Sequence, residues 1–393
     1  MQKILVLNSG SSSLKYQLFN VDGDKYEVVA KGLAERIGID GAKVSIKYAD
    51  GTKKEVITPL PTHNEALQEV FNLLLDGAIE DLNEISAVGH RVVHGGEIFK
   101  ESVVINETTV KAIEDLSSLA PLHNPAAVLG IRAVQKALPN VAQTAVFDTA
   151  FHQTMPKEAF LYGLPLEQYT KHQIRRYGMH GTSHRYIAQE VAKIIGENSK
   201  VVVCHLGNGA SLSAIKDGKC IDTSMGFTPL AGIIMGTRSG DVDPYIPLHI
   251  MKEQGLSVDE VNTLLNKQSG MLGLTGFSDM RDVEAAYLKG EKNAVVGMQA
   301  YVYNIVKFIG SYIAALGGID AIVFTAGIGE NSPIIRKLVL DRLSYLGIKV
   351  NDEANNRRGN IEEISTADSK VKAFVIPTDE ELMIVKDTVA LTK

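Results

Sequence analysis

The chain has 393 residues, 45% of them hydrophobic and 22% charged, with a net charge of −6. That is enough for more than one core, and too even in charge for a general nucleic-acid or membrane-surface binder, so any anion site must be a local gathering of basic residues. Two cysteines, Cys204 and Cys220, are too few for a disulfide framework and read as reduced thiols of a cytoplasmic protein.

In chain order, the apolar residues 4–7 meet the turn-forming run Asn8-Ser9-Gly10-Ser11-Ser12-Ser13, after which Lys15 opens an alternating segment. A strand, a tight turn and a second strand are expected. The run before Asn8 is too short for a signal-peptide core. Residues 62–76 and 108–119 carry helical periodicity, and ISAVGHRVV and AQTAVFD read as short buried strands. The pattern breaks around residues 149–165, where a domain boundary is expected. IAQEVAKII is helical, VVVCHLGNGASLSAIKDGKC is a second hairpin flanked by the two cysteines, and residues 295–316 form a long apolar helix, none of the runs reaching the roughly 18 uninterrupted apolar residues of a membrane span. DAIVFTAGIGEN reads as a buried strand entering a Gly turn, NSPIIRKLVLDRLSYLG as the helix after it. Thr378 with Glu381 reads as a capping box opening a final helix, which leaves Glu380 free to bind a cation.

The two hairpins echo each other. Ser13-Leu14 returns as Ser211-Leu212, 198 residues on, and each copy continues through an alternating strand to Asp-Gly. Duplication of a hairpin-led α/β domain accounts for this, as does chance likeness between two hairpins. Hairpins first and βα units later imply mixed sheets flanked by helices.

The opening hairpin is not a Walker A loop, which needs a second Gly before its Lys and a helix after it. Both tips still offer backbone N–H groups and hydroxyls to a phosphate, although an ordinary turn would look the same. Residues 168–189 contain no Asp or Glu but hold Lys171, His172, Arg175, Arg176, His180, His184 and Arg185. GHRVVHGG adds His90, Arg91 and His94, and MGTRSGDVDP adds Arg238. Arginines beside glycines in apolar sequence are expected to point into a cleft and grip carboxylate or phosphate. The spacings His90/His94 and His180/His184 would also suit zinc, but neither is H-E-x-x-H. Asp148 ends an apolar strand, a favoured place for site residues in α/β folds.

These residues together resemble the acetate kinases, within the acetate and sugar kinase, heat-shock and actin superfamily. ILVLNSGSSSLK, RRYGMHGTSH, HLGNG, MGTRSGDVDP, FTAGIGEN and PTDEEL stand in that family's order and spacing. Two positions depart: Met179 replaces a frequent Phe, and Asp379 a frequent Asn. The resemblance implies an α/β, duplicated two-domain actin-like (ribonuclease H-like) ATPase fold with mixed sheets and an interdomain active-site cleft. Residues 1–149 and 380–393 would form one domain and 150–379 the nucleotide-binding one. It implies reversible, direct in-line transfer from ATP to acetate, giving ADP and acetyl phosphate, with Mg²⁺ (or Mn²⁺), in a cytoplasmic homodimer that binds neither nucleic acid nor membrane.

By motif, the resemblance gives the metal to Asn8 and Glu380, and the acetate carboxylate to Arg91. Lys15 falls near the nucleotide phosphates, and His205, Leu206, Gly207, Asn208 and Gly209 lie along them. Asp279, Met280 and Arg281, with Gly327, Ile328, Gly329, Glu330 and Asn331, line the nucleotide pocket. His180 and Arg238 act on the transferring phosphoryl group. Asp148 is the catalytic acid, and Val93, Leu122, Met179 and Pro229 surround the methyl group. A carboxylate acceptor is already ionised at neutral pH and needs no base, so Asp148 is expected to orient the metal or its waters. Three rivals remain: a propionate or butyrate kinase of the same family, an actin-like ATPase with no acyl acceptor, and a zinc hydrolase.

Overall fold

The computed structural model describes residues 2–121 and 123–393, and they divide into two compact units, Met1–Ala150 with Asp379–Lys393, and Phe151–Thr378. Leu122 lies outside the described residues. Among the described residues no helix is long and apolar enough to cross a membrane.

The first unit is built on eight strands: β1 (Gln2–Ser9), β2 (Ser13–Asp22), β3 (Lys25–Glu35), β4 (Lys43–Tyr48), β5 (Lys53–Ile57), β6 (Ile85–Val92), β7 (Val103–Val104) and β8 (Ala142–Phe147). They form one sheet in the order β5-β4-β3-β2-β1-β6-β8-β7. β1, β6 and β8 are parallel, and the strands on either side of this trio run antiparallel to it or to each other. The apolar run in β1 is unbroken because both its faces are buried. Leu5 and Leu7 pack under helices His63–Leu75 and Asn124–Ala137, whereas Ile4 and Val6 pack against Ile384 and Val385 of helix Glu380–Leu391.

The second unit holds β9 (Lys200–Leu206), β10 (Ala210–Lys216), β11 (Lys219–Thr223), β12 (Ala321–Thr325), β13 (Glu362–Glu363) and β14 (Lys372–Val375), in the order β11-β10-β9-β12-β14-β13. Here β9, β12 and β14 are parallel and the other neighbours antiparallel. The sequence β3-β2-β1-β6-β8-β7 is thus reproduced position by position, directions included. The echo between the hairpins extends to whole sheets, and β4 and β5 are additions to the first unit. Helix Gly181–Ile195 places Ile187 and Val191 on Val201 and Val203, and helix Lys292–Leu316 packs on β9 and β10.

Several local expectations are corrected. Helix Gly181–Ile195 begins before Tyr186, so His184 lies inside it. The segment Ala326–Asn331 is a short helix and not a Gly turn, entered through Ala326 at φ 64°. The region 108–119 is a helix, Glu107–Asp115, followed by a 3₁₀ turn at Leu116–Ser118. Asp379, not Thr378, caps helix Glu380–Leu391, accepting from the Leu382 N–H at 2.9 Å. Thr378 instead meets the Ser183 hydroxyl at 2.7 Å and donates its N–H to Glu330.

Candidate active site

Parallel strands deliver their C-terminal ends to the same edge of a sheet, and in the first unit that edge collects Asn8 from β1, Arg91 from β6 and Asp148 just beyond β8. Arg91 donates from Nε to Asp148 Oδ1 at 3.1 Å and from Nη2 to Oδ2 at 2.5 Å, a two-point grip, while Nη1 reaches Asn8 Oδ1 at 3.3 Å. Asp148 is 1% exposed and Arg91 22%, so the pair opens to solvent only on the arginine side. Three of the five guanidinium N–H groups are engaged by these bonds, leaving two for a ligand.

Behind this pair helix Glu380–Leu391 begins. Burial pushes the Glu380 carboxyl up to about 7; Arg91 pulls the other way, and the charges of Asp148 and Glu381 add to the rise. Arg91 itself loses stability as a cation through burial, but Asp148, Glu380 and Glu381 outweigh that loss and hold it protonated. Glu381 makes no capping box and pairs with Lys15. Asn8 and Glu380 both offer oxygen ligands, and the crowding of negative charge that raises the affinity of Glu380 for a proton also suits a hard divalent cation such as Mg²⁺. The hairpin tip between β1 and β2 is closed by the Gly10 N–H donating to the Ser13 carbonyl at 2.8 Å, and the Gly10 carbonyl lies 2.8 Å from His63 Nε2. Val93 is buried in this unit.

In the second unit, His180 precedes helix Gly181–Ile195 in a left-handed conformation, φ 60° and ψ 21°. Its ring stacks on His205 at 4.3 Å, and its Nδ1 lies 2.9 Å from the Ser211 hydroxyl. The same hydroxyl lies 2.8 Å from His184 Nε2, and Ser183 lies 2.8 Å from His205 Nδ1. Burial drives His184 well below the ordinary imidazole range. Ser211 and Ser183 therefore set the histidine orientations; the sequence reading passed over both, although Ser211 stands in the echoed hairpin.

The β9–β10 tip, Gly207 to Gly209, is packed by a second glycine loop. A Cβ on Gly209 would lie 3.3–3.4 Å from the Arg238 guanidinium nitrogens, so glycine lets Arg238 sit flat against this tip. Arg238 donates to the Pro229 carbonyl at 2.9 Å, and burial lowers its pKa. Next to this tip is a cavity of about 770 Å³ whose lining includes Gly207, Asn208, Asp279, Arg281, Gly327 and Ile328. Met280 and Asn331 also face it, as do Glu284, Ser332 and Arg358, which no motif announced. Asp279 caps helix Met280–Leu288, and its bond to Arg281 holds its carboxyl down at about 2. Gly329 and Glu330 turn elsewhere, their carbonyls accepting from the buried Arg336. Met179 is buried, and Pro229 lies in the same unit.

Arg175 and Arg176 of the basic run are structural, against expectation. Arg175 lies over the Phe160 ring at 3.6 Å, and Arg176 donates to the carbonyls of Thr223, Ser224 and Met225. His90 is buried against Gln143 at 2.8 Å, and burial lowers it to about 4.

With this geometry in view, comparisons with known proteins agree over the full chain. The Acetokinase family model matches residues 3–386. An acetate kinase of Thermotoga petrophila is 56% identical over 98% of each chain. Among solved structures, an acetate kinase from Porphyromonas gingivalis superposes with TM-score 0.95 at 43% identity, covering 100% of both chains. A propionate kinase from Francisella tularensis subsp. tularensis matches with TM-score 0.94, also at 43% identity and covering 100% of both. Sequence motifs, duplicated sheets and full-length similarity lead to one conclusion: this chain belongs to the acetokinase family.

Proposed function

We propose that this enzyme transfers a phosphoryl group reversibly between ATP and acetate, giving ADP and acetyl phosphate, by direct in-line displacement. The observation that carries this reading is the Arg91–Asp148–Asn8 constellation at the strand ends, an arginine fixed on one side and open on the other. Two anions must meet in this reaction, and their repulsion has to be offset by fixed cations. The two uncommitted N–H groups of Arg91 bind the acetate carboxylate. Asp148, with both oxygens held by Arg91, keeps that guanidinium in place. Acetate arrives ionised, so no group need take a proton from it.

The nucleotide phosphates lie along the His205–Gly209 tip, and the nucleoside takes the cavity beside Asp279 and Ile328. His180 and Arg238 stabilise charge on the phosphoryl group as it transfers. Asn8 and Glu380 would hold Mg²⁺, whose chemistry is to offset charge on the phosphate oxygens. The apolar side chains of Val93 and Met179, each buried in its own unit, are the described residues this proposal assigns to the acetate methyl group. A cytoplasmic homodimer, which the family resemblance implies, is part of this proposal.

Incubation with acetate, MgATP and hydroxylamine should yield acetohydroxamate; none formed would remove the proposal, leaving either a kinase of a longer acyl acceptor or an ATPase without one. The equal likeness to a propionate kinase keeps a second reading in play, because one methylene in an apolar pocket is worth only about 1–3 kcal/mol. Comparing kcat/KM for acetate, propionate and butyrate decides between them. Chiral γ-phosphate should emerge inverted, and net retention would point to a phosphoenzyme instead.

A further inference from the structure

A buried histidine outside the proposed chemistry lies directly behind His180. His152 is fully buried, with Nε2 3.0 Å from the Met179 carbonyl oxygen and Nδ1 3.2 Å from Cys220 Sγ. A carbonyl only accepts, so Nε2 carries a proton. Burial lowers the ring's pKa to about 4, so at neutral pH it has no second proton and Nδ1 presents a lone pair. The Cys220 thiol, which burial pushes up and keeps protonated, lies beside that lone pair, and its sulfur donates to the Asp222 carbonyl at 3.3 Å. The tautomer of His152 is thus set by the Met179 carbonyl.

The carbonyl that His152 holds belongs to the peptide plane joining Met179 to His180. Rotating that plane changes φ of His180 directly. His180 sits at φ 60°, a left-handed conformation that a residue with a side chain keeps only where its surroundings enforce it. Gly178, two residues before it, is also left-handed at φ 76°, and a Cβ there would lie 2.8 Å from His152 Cδ2, so the imidazole is seated against this backbone. The ring also meets His184 edge-on at 5.6 Å.

We infer that His152 is a positioning residue: its Nε2–H bond to the Met179 carbonyl locks the peptide plane before His180 and so aims the His180 ring at His205 and Ser211. The inference rests on the role proposed above for His180 at the transferring phosphoryl group. Nothing in the sequence marks His152 apart from other histidines in apolar surroundings.

The test uses His152→Ala, His152→Gln and His152→Asn in the full chain, with His180→Ala alone and combined with His152→Ala. The readouts are hydroxamate turnover, KM for ATP and acetate, and calorimetric ADP affinity. His152→Ala should lower kcat by about 10–100-fold, the scale set by a misplacement of about 1 Å, with ADP affinity within about twofold of the parent, since nothing at the nucleotide cavity is touched. Gln carries its N–H₂ where Nε2 stood and should recover most of the loss; Asn carries it at the Nδ1 place and should not. In the His180→Ala background, His152→Ala should cost nothing further in kcat. Undiminished turnover in His152→Ala, equal turnover in the Gln and Asn variants, or the same fold loss without His180 would each overturn the inference. Should His152→Ala fail to fold, the Gln against Asn comparison carries the test. Full turnover in His180→Ala alone would overturn the role of His180 itself, which is a separate failure.

Discussion

Arg91 and Asp148 meet through two hydrogen bonds, 3.1 and 2.5 Å long, from neighbouring parallel strands, and the carboxylate is 1% exposed against 22% for the arginine. This asymmetry makes the arginine, not the acid, the group that faces a ligand. Arg91→Ala should therefore reduce kcat by about 10³ or more while ADP affinity stays within about threefold, because the nucleotide cavity is lined by residues of the other unit. It also strands a buried carboxylate, so urea denaturation should show a loss of about 3–5 kcal/mol. Lys keeps the charge but not the fork and should recover little turnover. A fall in ADP affinity as large as the fall in kcat would contradict the assignment.

Glu380 sits among like charges, with burial, Asp148 and Glu381 all opposing its ionisation and Arg91 favouring it. Glu380→Gln removes that crowding at no cost in shape. The folded state should be as stable as the parent or slightly more so, while the free Mg²⁺ needed for half-maximal turnover should rise about 10–100-fold. An unchanged Mg²⁺ titration would take Glu380 out of the metal site.

Acid sensitivity follows from buried imidazoles, those of His90, His152 and His184. His90 and His152 each have a native pKa of about 4, lowered first of all by burial. In the unfolded chain both take up a proton near pH 6.5, so between pH 6.5 and 4 the unfolded state binds more protons and stability falls as pH falls. Above pH 6.5 neither contributes a slope, and below 4 the slope vanishes again. Each contributes up to about 3 kcal/mol across the window. Glu380, whose carboxyl is raised to about 7, works the other way as pH falls from about 7 towards 4.5, so the imidazole effect is read from denaturation midpoints at pH 7.5, 6.5, 5.5 and 4.5 as the difference between the parent and a variant lacking one of the rings. His90→Gln, which keeps a hydrogen-bonding partner for Gln143, should lessen the decline.

Gly236 donates its N–H to the Asn208 carbonyl at 2.9 Å, and a Cβ there would press on the Asn208 amide and lie 3.1 Å from the Ser278 carbonyl oxygen. Both neighbours line the nucleotide cavity. Overpacking of this kind costs about 1–3 kcal/mol, so Gly236→Ala should weaken ADP binding about tenfold, with kcat at saturating ATP within a few-fold of the parent. Calorimetry with ADP checks it, and unaltered affinity would show that the loop yields freely.

What the sequence disclosed depended on the range of the forces involved. The hairpin at Asn8–Ser13 and its counterpart at Gly207–Gly209 were legible because alternation and glycine-rich turns are local. Residues at strand ends, Arg91 and Asp148, were legible because strand boundaries are. The start of helix Gly181–Ile195 was missed because His180 enters it left-handed and is no standard cap. Ala326, also at positive φ, hid a helix behind what looked like a glycine turn. Arg175 and Arg176 were grouped with cleft-facing arginines because their partners, the Phe160 ring and the carbonyls of Thr223 and Ser224 at the end of β11, are not adjacent in sequence. Glu284, Ser332 and Arg358 reach the cavity from separate elements, with no motif to join them.

Helix Glu380–Leu391 seals the face of the first sheet formed by Ile4, Val6, Ala87 and Val146, and its Thr388 reaches the Thr144 hydroxyl at 2.7 Å. Those strands leave the ribosome long before their cover does. About 230 residues of the second unit are translated in between, roughly 10–45 s at ~5–20 residues per second. Through that interval the nascent first unit carries a bare greasy surface, an invitation to chaperones or to premature sticking. A reading-frame loss anywhere downstream therefore injures the domain made first.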